Sequence, residues 1–136
     1  TARAIAAQIE KTEAELRASA TPAALSVAER LAAARASFLA AVDFIAASAK
    51  RAPNAAYAGS VPYLMLTGNL VAGWQMGRAL LVAQSKLAAG EETAFMQAKI
   101  TTAQFYAEHI LVRTAGLREA IVQGGDSACA LPLEAF

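Results

Sequence analysis

The pattern of apolar positions is most informative between Ser60 and Ala89, where it predicts a long helix. One set of mainly apolar positions recurs at alternating three- and four-residue steps, which is the spacing of a single helix face. This set is Leu66, Leu70, Gly73, Gly77, Leu80, Gln84 and Leu87. Two further sets cover the other sides, and Arg78 is the single charge between Val61 and Ala83. Because a helix that is apolar on nearly every side is typical of a buried element, we predict that this segment is the central helix of a bundle.

Three glycines in this segment support a central position. Gly68, Gly73 and Gly77 each cost about 1 kcal/mol relative to alanine in a helix interior. We therefore expect each of them at a place where a neighbouring backbone comes close.

A membrane-spanning helix is the alternative for the same segment, because about 20 mainly apolar residues can cross a bilayer. Against a span stand Thr67, Asn69, Gln75 and Arg78, which are distributed around the helix near its middle. An arginine alone is penalised by about 2.5–3.5 kcal/mol at the centre of a span. The pattern favours a bundle helix, and we predict no membrane span.

Three other segments have helical periodicity. We predict a shorter first helix from about Ala2 to Ser19, a second helix that ends near Arg51, and a last helix from Glu91 to about Gln123. The first helix has a thin apolar stripe, so we expect it to be the least firmly held. On its exposed side we expect an ion pair between Glu13 and Arg17, which are four residues apart.

Local signals mark the ends of these segments. The second helix begins either at Thr21 and Pro22 or at Ser26, where Glu29 completes a capping box. A loop is expected from Ala52 through Gly59, and Ser60 is well placed to cap the central helix. Gly90 is expected to adopt a left-handed conformation that ends the central helix. The tail to Phe136 is apolar enough to dock on another surface.

These elements define the fold class as all-α. Matched lengths and short connections describe an up-down antiparallel bundle of four helices, with one shorter N-terminal helix and three long helices. At 136 residues, the chain is long enough for one domain with a single core. We therefore treat residues 1–136 as a single helical-bundle domain. The chain starts at Thr1 without an initiator methionine, which would fit either a processed chain or a piece of a longer protein.

Composition adds a second copy of the chain as a candidate partner. Hydrophobic residues make up 57% and charged residues only 17% of the chain, so we expect self-association, most simply as a two-fold dimer. The net charge of +1, with scattered Lys and Arg, does not favour binding to nucleic acid. A single cysteine, Cys129, excludes an internal disulfide, and a cytoplasmic location is the simplest expectation.

Candidate chemistry is sparse in this sequence. Cys129 and His109 are each the only residue of their kind, and a Cys–His nucleophile pair needs both side chains within hydrogen-bond reach. A di-iron bundle needs two Glu-x-x-His motifs, and a zinc site needs several His or Cys ligands. We therefore predict no catalytic residue, no metal site and no cofactor-binding residue in this chain.

Two polar clusters remain as candidates for an interface or a polar seam. Glu108, His109 and Arg113 lie within about one turn of the last helix, where they could form an anion site, a proton-transfer group, or a polar seam satisfied against another helix or another domain. Trp74 and Arg78 are one turn apart in the central helix, which favours a cation beside an aromatic ring at an interface. We expect both clusters to be structural.

Two runs of residues also carry a family resemblance. They are Tyr63-Leu64-Met65-Leu66 with Gly68, followed by Ala72-Gly73-Trp74 and Arg78-Ala79, and Phe105-Tyr106-Ala107-Glu108-His109-Ile110-Leu111 with Ala115-Gly116-Leu117. Together they resemble the helical domain at the C-terminus of many bacterial acyl-CoA dehydrogenases. The resemblance covers about Leu31 to Ile121, and the run from Phe105 to Leu111 is its most specific part.

The resemblance implies that the chain is one module of a larger flavoenzyme. In such enzymes FAD accepts a hydride from the β-carbon of an acyl-CoA while a glutamate removes the α-proton. Both FAD and the glutamate belong to the preceding catalytic body, so no catalytic or FAD-binding residue is carried over to this chain. Two function classes follow: a non-catalytic accessory domain that packs on the catalytic body or a second subunit, and a stand-alone interaction module that forms a homodimer.

Overall fold

A computed structural model describes residues 1–135 and confirms the all-α class, since no strand occurs in that range. The helices are α1 (Ala2–Ser19), α2 (Pro22–Ser48), α3 (Pro53–Ala58), α4 (Ser60–Ala88), α5 (Thr93–His109), α6 (Thr114–Gln123) and α7 (Gly125–Ala128), with 3₁₀ turns at Leu111–Arg113 and Leu133–Ala135. Helices α1, α2 and α4, followed by α5 with α6, form the four rods of the bundle.

The central helix α4 packs against α1, α2, α5 and α6. Two contacts show that the last rod runs antiparallel to α4. The hydroxyl of Tyr106 donates to the carbonyl oxygen of Asn69 (3.3 Å), and Gly59 lies against Ile121, whose Cγ2 is 3.3 Å from the ideal position of a Cβ on Gly59. The up-down antiparallel arrangement is therefore confirmed.

Helix α2 begins at the earlier of the two predicted start signals, Thr21 with Pro22, and not at Ser26. Pro22 is the first helical residue, and the hydroxyl oxygen of Thr21 accepts a hydrogen bond from the backbone N–H of Ala24 (3.3 Å). Proline fits this position because its missing N–H would have no partner inside the helix. The prediction of a helix start at Thr21 and Pro22 is confirmed.

Two predictions about the ends of α4 have different outcomes. Gly90 has a φ of 75°, which confirms the left-handed turn after the helix. The expected loop before the helix instead contains α3, which begins at Pro53, and Ser60 is the first residue of α4 without a side-chain cap. The cap prediction for Ser60 was therefore wrong.

The last rod is interrupted, whereas the sequence predicted one continuous helix from Glu91 to Gln123. A 3₁₀ turn at Leu111–Arg113 separates α5 from α6. Within this region the hydroxyl of Thr114 donates to the carbonyl oxygen of Leu111 (2.6 Å). Ile110, Val112 and Thr114 are all β-branched, which lowers helix propensity and favours a tighter turn at this point.

The core lies where the four rods meet. Its largest fully buried side chains include Phe38, Ile9, Leu16, Leu31, Leu66, Leu70, Leu80, Leu111 and Ile121. The face of α4 that contributes Leu66, Leu70 and Leu80 is the one identified from the sequence, so the central position of α4 is confirmed.

One side of α4 does not meet the expectation of burial on nearly every side. Val61, Leu64, Met65 and Val82 are all exposed, and the most exposed, Leu64, retains 73% of its accessible surface. The expectation was wrong because periodicity reports the apolar character of a face and not the presence of a neighbour.

The expected ion pair between Glu13 and Arg17 does not lie on the exposed side of α1, because Glu13 has a buried carboxylate with a closer partner. Glu13 is fully buried, and the guanidinium of Arg35 on α2 donates two hydrogen bonds to its carboxylate, at 2.7 and 2.9 Å. The expected ion pair with Arg17 is also present, at a longer distance of 3.9 Å. The pKa of Arg35 is raised, chiefly by its hydrogen bond to Glu13. This pair joins α1 to α2 at a position where the sequence placed solvent.

Within residues 1–135, α2 is the one helix both long and apolar enough to cross a membrane, with a mean hydropathy of 1.5 over its most apolar window. The core helix of a bundle has the same properties, and α2 packs against α1, α4, α5 and α6. The absence of a membrane span therefore stays a prediction. In the tail, Leu131 and Leu133 are exposed, and Phe136 lies outside the described residues.

Candidate functional site

Trp74 and Arg78 lie on the side of α4 that faces α1. The indole N–H of Trp74 donates to the hydroxyl oxygen of Thr12 (2.8 Å), and Thr12 is buried. The guanidinium carbon of Arg78 lies 5.8 Å from the centre of the Trp74 ring, and Arg78 donates to the amide oxygen of Gln75 (3.1 Å). The expected cation beside an aromatic ring is present, and the indole joins two helices of the same domain.

Glu108 forms a polar seam between α5 and α2. Its Oε1 accepts hydrogen bonds from the side chains of Gln104 and Ser26, both at 2.9 Å. These bonds stabilise the charged carboxylate, so they hold the pKa of Glu108 below its usual value, with Gln104 as the larger cause. A carboxylate that is charged and hydrogen-bonded in this way is a weak candidate for a general base near neutral pH.

His109 and Arg113 lie where α5 ends. The imidazole of His109 stacks on the ring of Phe105, with 4.4 Å between ring centres. The Nε of Arg113 donates to the backbone carbonyl oxygen of His109 (3.0 Å), where helical hydrogen bonding is interrupted. Both side chains are exposed.

The structure does not bring the two candidate clusters together. Trp74 is joined to α1, whereas Glu108 is joined to α2, and no hydrogen bond or ion pair within residues 1–135 links them. In the same range, no group of three or more His, Cys, Asp or Glu side chains could hold a metal ion. Neither cluster therefore presents an acid, a base and a binding cleft in one place.

The buried pair of Glu13 and Arg35 is a polar feature that sequence reasoning missed. The two residues lie on different helices, so no spacing rule connects them, and Glu13 had a closer partner in sequence at Arg17. Arg35 also forms a salt bridge with Glu10 at 3.4 Å, and all of these contacts are made within the domain. We interpret it as a structural contact.

A groove of about 540 Å³ follows α4 between α1 and α5. Val82 and Phe95 are exposed within it, and Arg78 and Lys99 lie at its rim. The Nζ of Lys99 lies 5.1 Å from the centre of the Phe95 ring. Within residues 1–135, no carboxylate forms a salt bridge with Arg78 or Lys99. The groove therefore combines an apolar floor with two cations that form no salt bridge within the described residues, and Glu15 on α1 also lines it.

Comparison with known protein families gives a match over most of the chain. The model of a family described as "Acetyl-CoA dehydrogenase C-terminal like" matches residues 5–132. The chain belongs to this family of acyl-CoA dehydrogenase C-terminal domains. The resemblance found from the sequence runs is thereby confirmed.

Two curated relatives show the size of the proteins in which such a domain occurs. A 3-methylmercaptopropionyl-CoA dehydrogenase of Ruegeria pomeroyi is 49% identical over 127 residues, which cover 93% of this chain and 21% of that protein. A broad-specificity linear acyl-CoA dehydrogenase of Mycobacterium tuberculosis is 38% identical over 66 residues, which cover 46% of this chain and 11% of that protein. The chain thus spans only about a fifth of the length of the first relative.

The helix starts of α2, α4 and α5 give no cradle for the pyrophosphate of a flavin dinucleotide, which needs free backbone N–H groups at a helix start. At α2, Pro22 lacks a backbone N–H, and the backbone N–H of Ala24 already donates to the hydroxyl oxygen of Thr21. At α5, two glutamates, Glu91 and Glu92, precede the first turn and would repel an anion. At α4, the residue before the helix lies against α6. These three helix starts do not fit FAD, and no flavin-binding residue is assigned to the chain.

Proposed function

We propose that this chain is a non-catalytic accessory domain of a flavin-dependent acyl-CoA dehydrogenase, in which it packs on the catalytic body. The observation that carries the proposal is a difference in coverage: the match to the Ruegeria dehydrogenase includes 93% of this chain but 21% of that enzyme. The chain then takes part in acyl-CoA oxidation only through the catalytic body, which holds FAD and the substrate.

The geometry of the polar groups supports a packing role. The indole of Trp74 and the carboxylate of Glu13 bond to neighbouring helices of the domain. Glu108 is held as an anion by two neutral donors. An accessory domain needs such internal seams and an apolar surface for its partner, and α4 provides that surface.

The gene provides the first test of this proposal. We expect several hundred codons of dehydrogenase sequence upstream of Thr1 in the same open reading frame. A start codon directly before Thr1 would contradict the accessory role.

Kinetics of the longer enzyme provide the second test. Removing a general acid or base lowers kcat by about 10²–10⁴-fold. We expect Glu108→Gln and His109→Gln to keep kcat within about twofold of the parent enzyme and to keep its flavin content. A hundredfold loss in kcat in a folded, flavin-loaded variant would assign catalysis to this domain.

A stand-alone homodimer module is the second candidate function, and the exposed apolar side of α4 favours it. We expect the 136-residue chain to self-associate at micromolar concentration. Sedimentation as a 14.1 kDa monomer that does not change on concentration would contradict this module. We also propose a cytoplasmic location, which the single exposed cysteine supports because a thiol stays reduced there.

A further inference from the structure

A second regular seam follows α4 on the side away from the core. Its positions recur at alternating four- and three-residue steps, which is the spacing by which one helix packs along another. The exposed members are Val61, Met65, Gly68, Gln75 and Val82, and the half-buried Ala72 and Ala79 complete the spacing. The seam contains no charged residue over about six helical turns, and none of its members is buried.

Helix α5 presents a matching seam beside it. Phe95, Ala98, Thr102, Phe105 and His109 follow the same spacing, and all five are exposed. The hydrogen bond from Tyr106 to Asn69 fixes α5 alongside α4, so the two uncharged seams lie side by side. The groove of about 540 Å³ is lined by Gln75, Ala79, Val82 and Phe95 of these seams, and the open surface continues along α4 past Gly68 to Met65. We call this surface the outer groove.

Gly68 shows that the outer groove lacks a neighbour. An ideal Cβ on Gly68 would meet no atom within 4 Å, whereas Cβ positions on Gly73 and Gly77 meet Leu111 and Leu16. A glycine within a helix costs about 1 kcal/mol relative to alanine, and at Gly68 no contact within the described residues offsets this cost. A helix packed against the small residues Gly68 and Ala72 would offset it by close contact.

We propose that the outer groove binds a helix from the catalytic body of the same polypeptide. This inference rests on the proposed function, because it needs a longer dehydrogenase chain. In the Ruegeria relative about four-fifths of the polypeptide lies outside the matched segment. Attachment to one chain gives such a helix an effective concentration in the millimolar range, far above that of a second copy.

Charge also favours the catalytic body over a second copy as the occupant. Arg78 and Lys99 border the outer groove and form no salt bridge within the described residues. Glu15 on α1 also lines the groove, but the two cations outnumber it and both seams are free of acidic residues. A second copy would bring the same cations to the interface. The helix that fits the groove is apolar on its contact face and carries carboxylates opposite Arg78 and Lys99.

The methionines give a direct test in the full-length enzyme. Met65 is 54% exposed in this domain, whereas Met96 is buried at 7%, and oxidation by peroxide follows exposure. If a helix fills the outer groove, Met65 should oxidise about tenfold more slowly than in the urea-unfolded enzyme, at a rate close to that of Met96. A Met65 rate equal to that of the unfolded chain would overturn the proposal.

Two glycine variants make the test specific. Gly68 and Gly116 are both helical, both exposed, and both without any atom within 4 Å of an added Cβ. In the full-length enzyme, Gly68→Leu should block the groove and restore fast oxidation of Met65, whereas Gly116→Leu should leave the slow rate unchanged. Equal rates in the two variants would contradict docking at this surface.

The remaining outcomes separate the docking proposal from the proposed function. Protection of Met65 that disappears on dilution would identify a second copy in the groove and overturn the proposal. If the gene encodes no dehydrogenase upstream, the proposed function itself fails before any oxidation is measured. If it does, and Met65 stays reactive, only the docking proposal fails.

Discussion

The inner and outer faces of α4 have similar sequences but different surroundings. Both follow a regular three- and four-residue spacing, both are almost free of charge, and both include glycine. On the inner face, Cβ positions at Gly73 and Gly77 are 2.6 and 3.2 Å from the side chains of Leu111 and Leu16. On the outer face, Gly68 has open space around it. The same spacing of apolar residues therefore occurs on an inner face that packs against other helices and on an outer face that has no neighbour among the described residues. Substitutions can distinguish the two faces.

The largest effect is expected for a bulky residue on the inner face. Gly77→Leu places a side chain against Leu16, Val27 and Thr12, which already surround the glycine. Overpacking of a tight contact costs about 1–3 kcal/mol or more, so the urea midpoint should fall strongly. The control Ala88→Leu lies exposed at the end of α4 and should leave the midpoint nearly unchanged. Equal midpoints for the two variants would show that the inner face is not closely packed.

A single methyl group should have opposite effects on the two faces. Gly73→Ala gains about 1 kcal/mol of helix propensity, but its Cβ would lie within 3 Å of three atoms of the buried Leu111, so a net loss is expected. Gly68→Ala gains the same propensity without a clash and should raise the stability of the chain by up to about 1 kcal/mol. Chemical denaturation of both variants provides the measurement. If both substitutions change the free energy of unfolding in the same direction, the two faces do not differ in packing.

A smaller effect is expected where α4 meets α1. Trp74→Phe removes the hydrogen bond to the hydroxyl of the buried Thr12 and should cost about 1–2 kcal/mol. Gln75→Ala, at the next residue and on the outer face, should cost less than about 0.5 kcal/mol. Thermal unfolding of both variants at one pH provides the comparison. A greater loss for Gln75→Ala would assign it an internal role that its exposure does not indicate.

The smallest effect is the pH dependence that Glu108 contributes at the surface. Its pKa in the folded chain is below the unfolded value, so its hydrogen bonds to Gln104 and Ser26 contribute stability above the unfolded pKa. This contribution is lost as the pH falls through the lowered folded pKa. Stability should therefore fall more steeply on acidification in the parent chain than in Glu108→Gln. Identical slopes across the acidic range would mean that these hydrogen bonds do not favour the charged carboxylate.

Sequence reasoning was accurate for two local signals, although the equally local cap prediction for Ser60 was wrong. The start of α2 at Thr21 and Pro22 depends on a cap and a proline that act within one turn. The turn at Gly90 depends on the φ of one residue. The 3₁₀ turn after His109 was missed, because Ile110, Val112 and Thr114 weaken a helix without ending it, and no glycine or proline marks the place.

The candidate site was predicted only in part for a related reason. Trp74 and Arg78 are adjacent on one helix, so their contact could be expected from spacing, whereas the hydroxyl of Thr12 that binds the indole lies on another helix. Ser26, which binds Glu108, is 82 residues away in sequence. Partners at such distances follow from the packing of helices and not from any spacing rule.

The sequence by itself determined that this chain forms helices and which faces of them are apolar, because hydrophobic spacing and turn residues act over a few residues. Only the tertiary structure decided which of these faces are covered. It placed Arg35 over Glu13 and buried a carboxylate that spacing had assigned to solvent. It also covered the inner face of α4 and left the outer groove open, since an apolar face is a property of one helix and burial is a property of two.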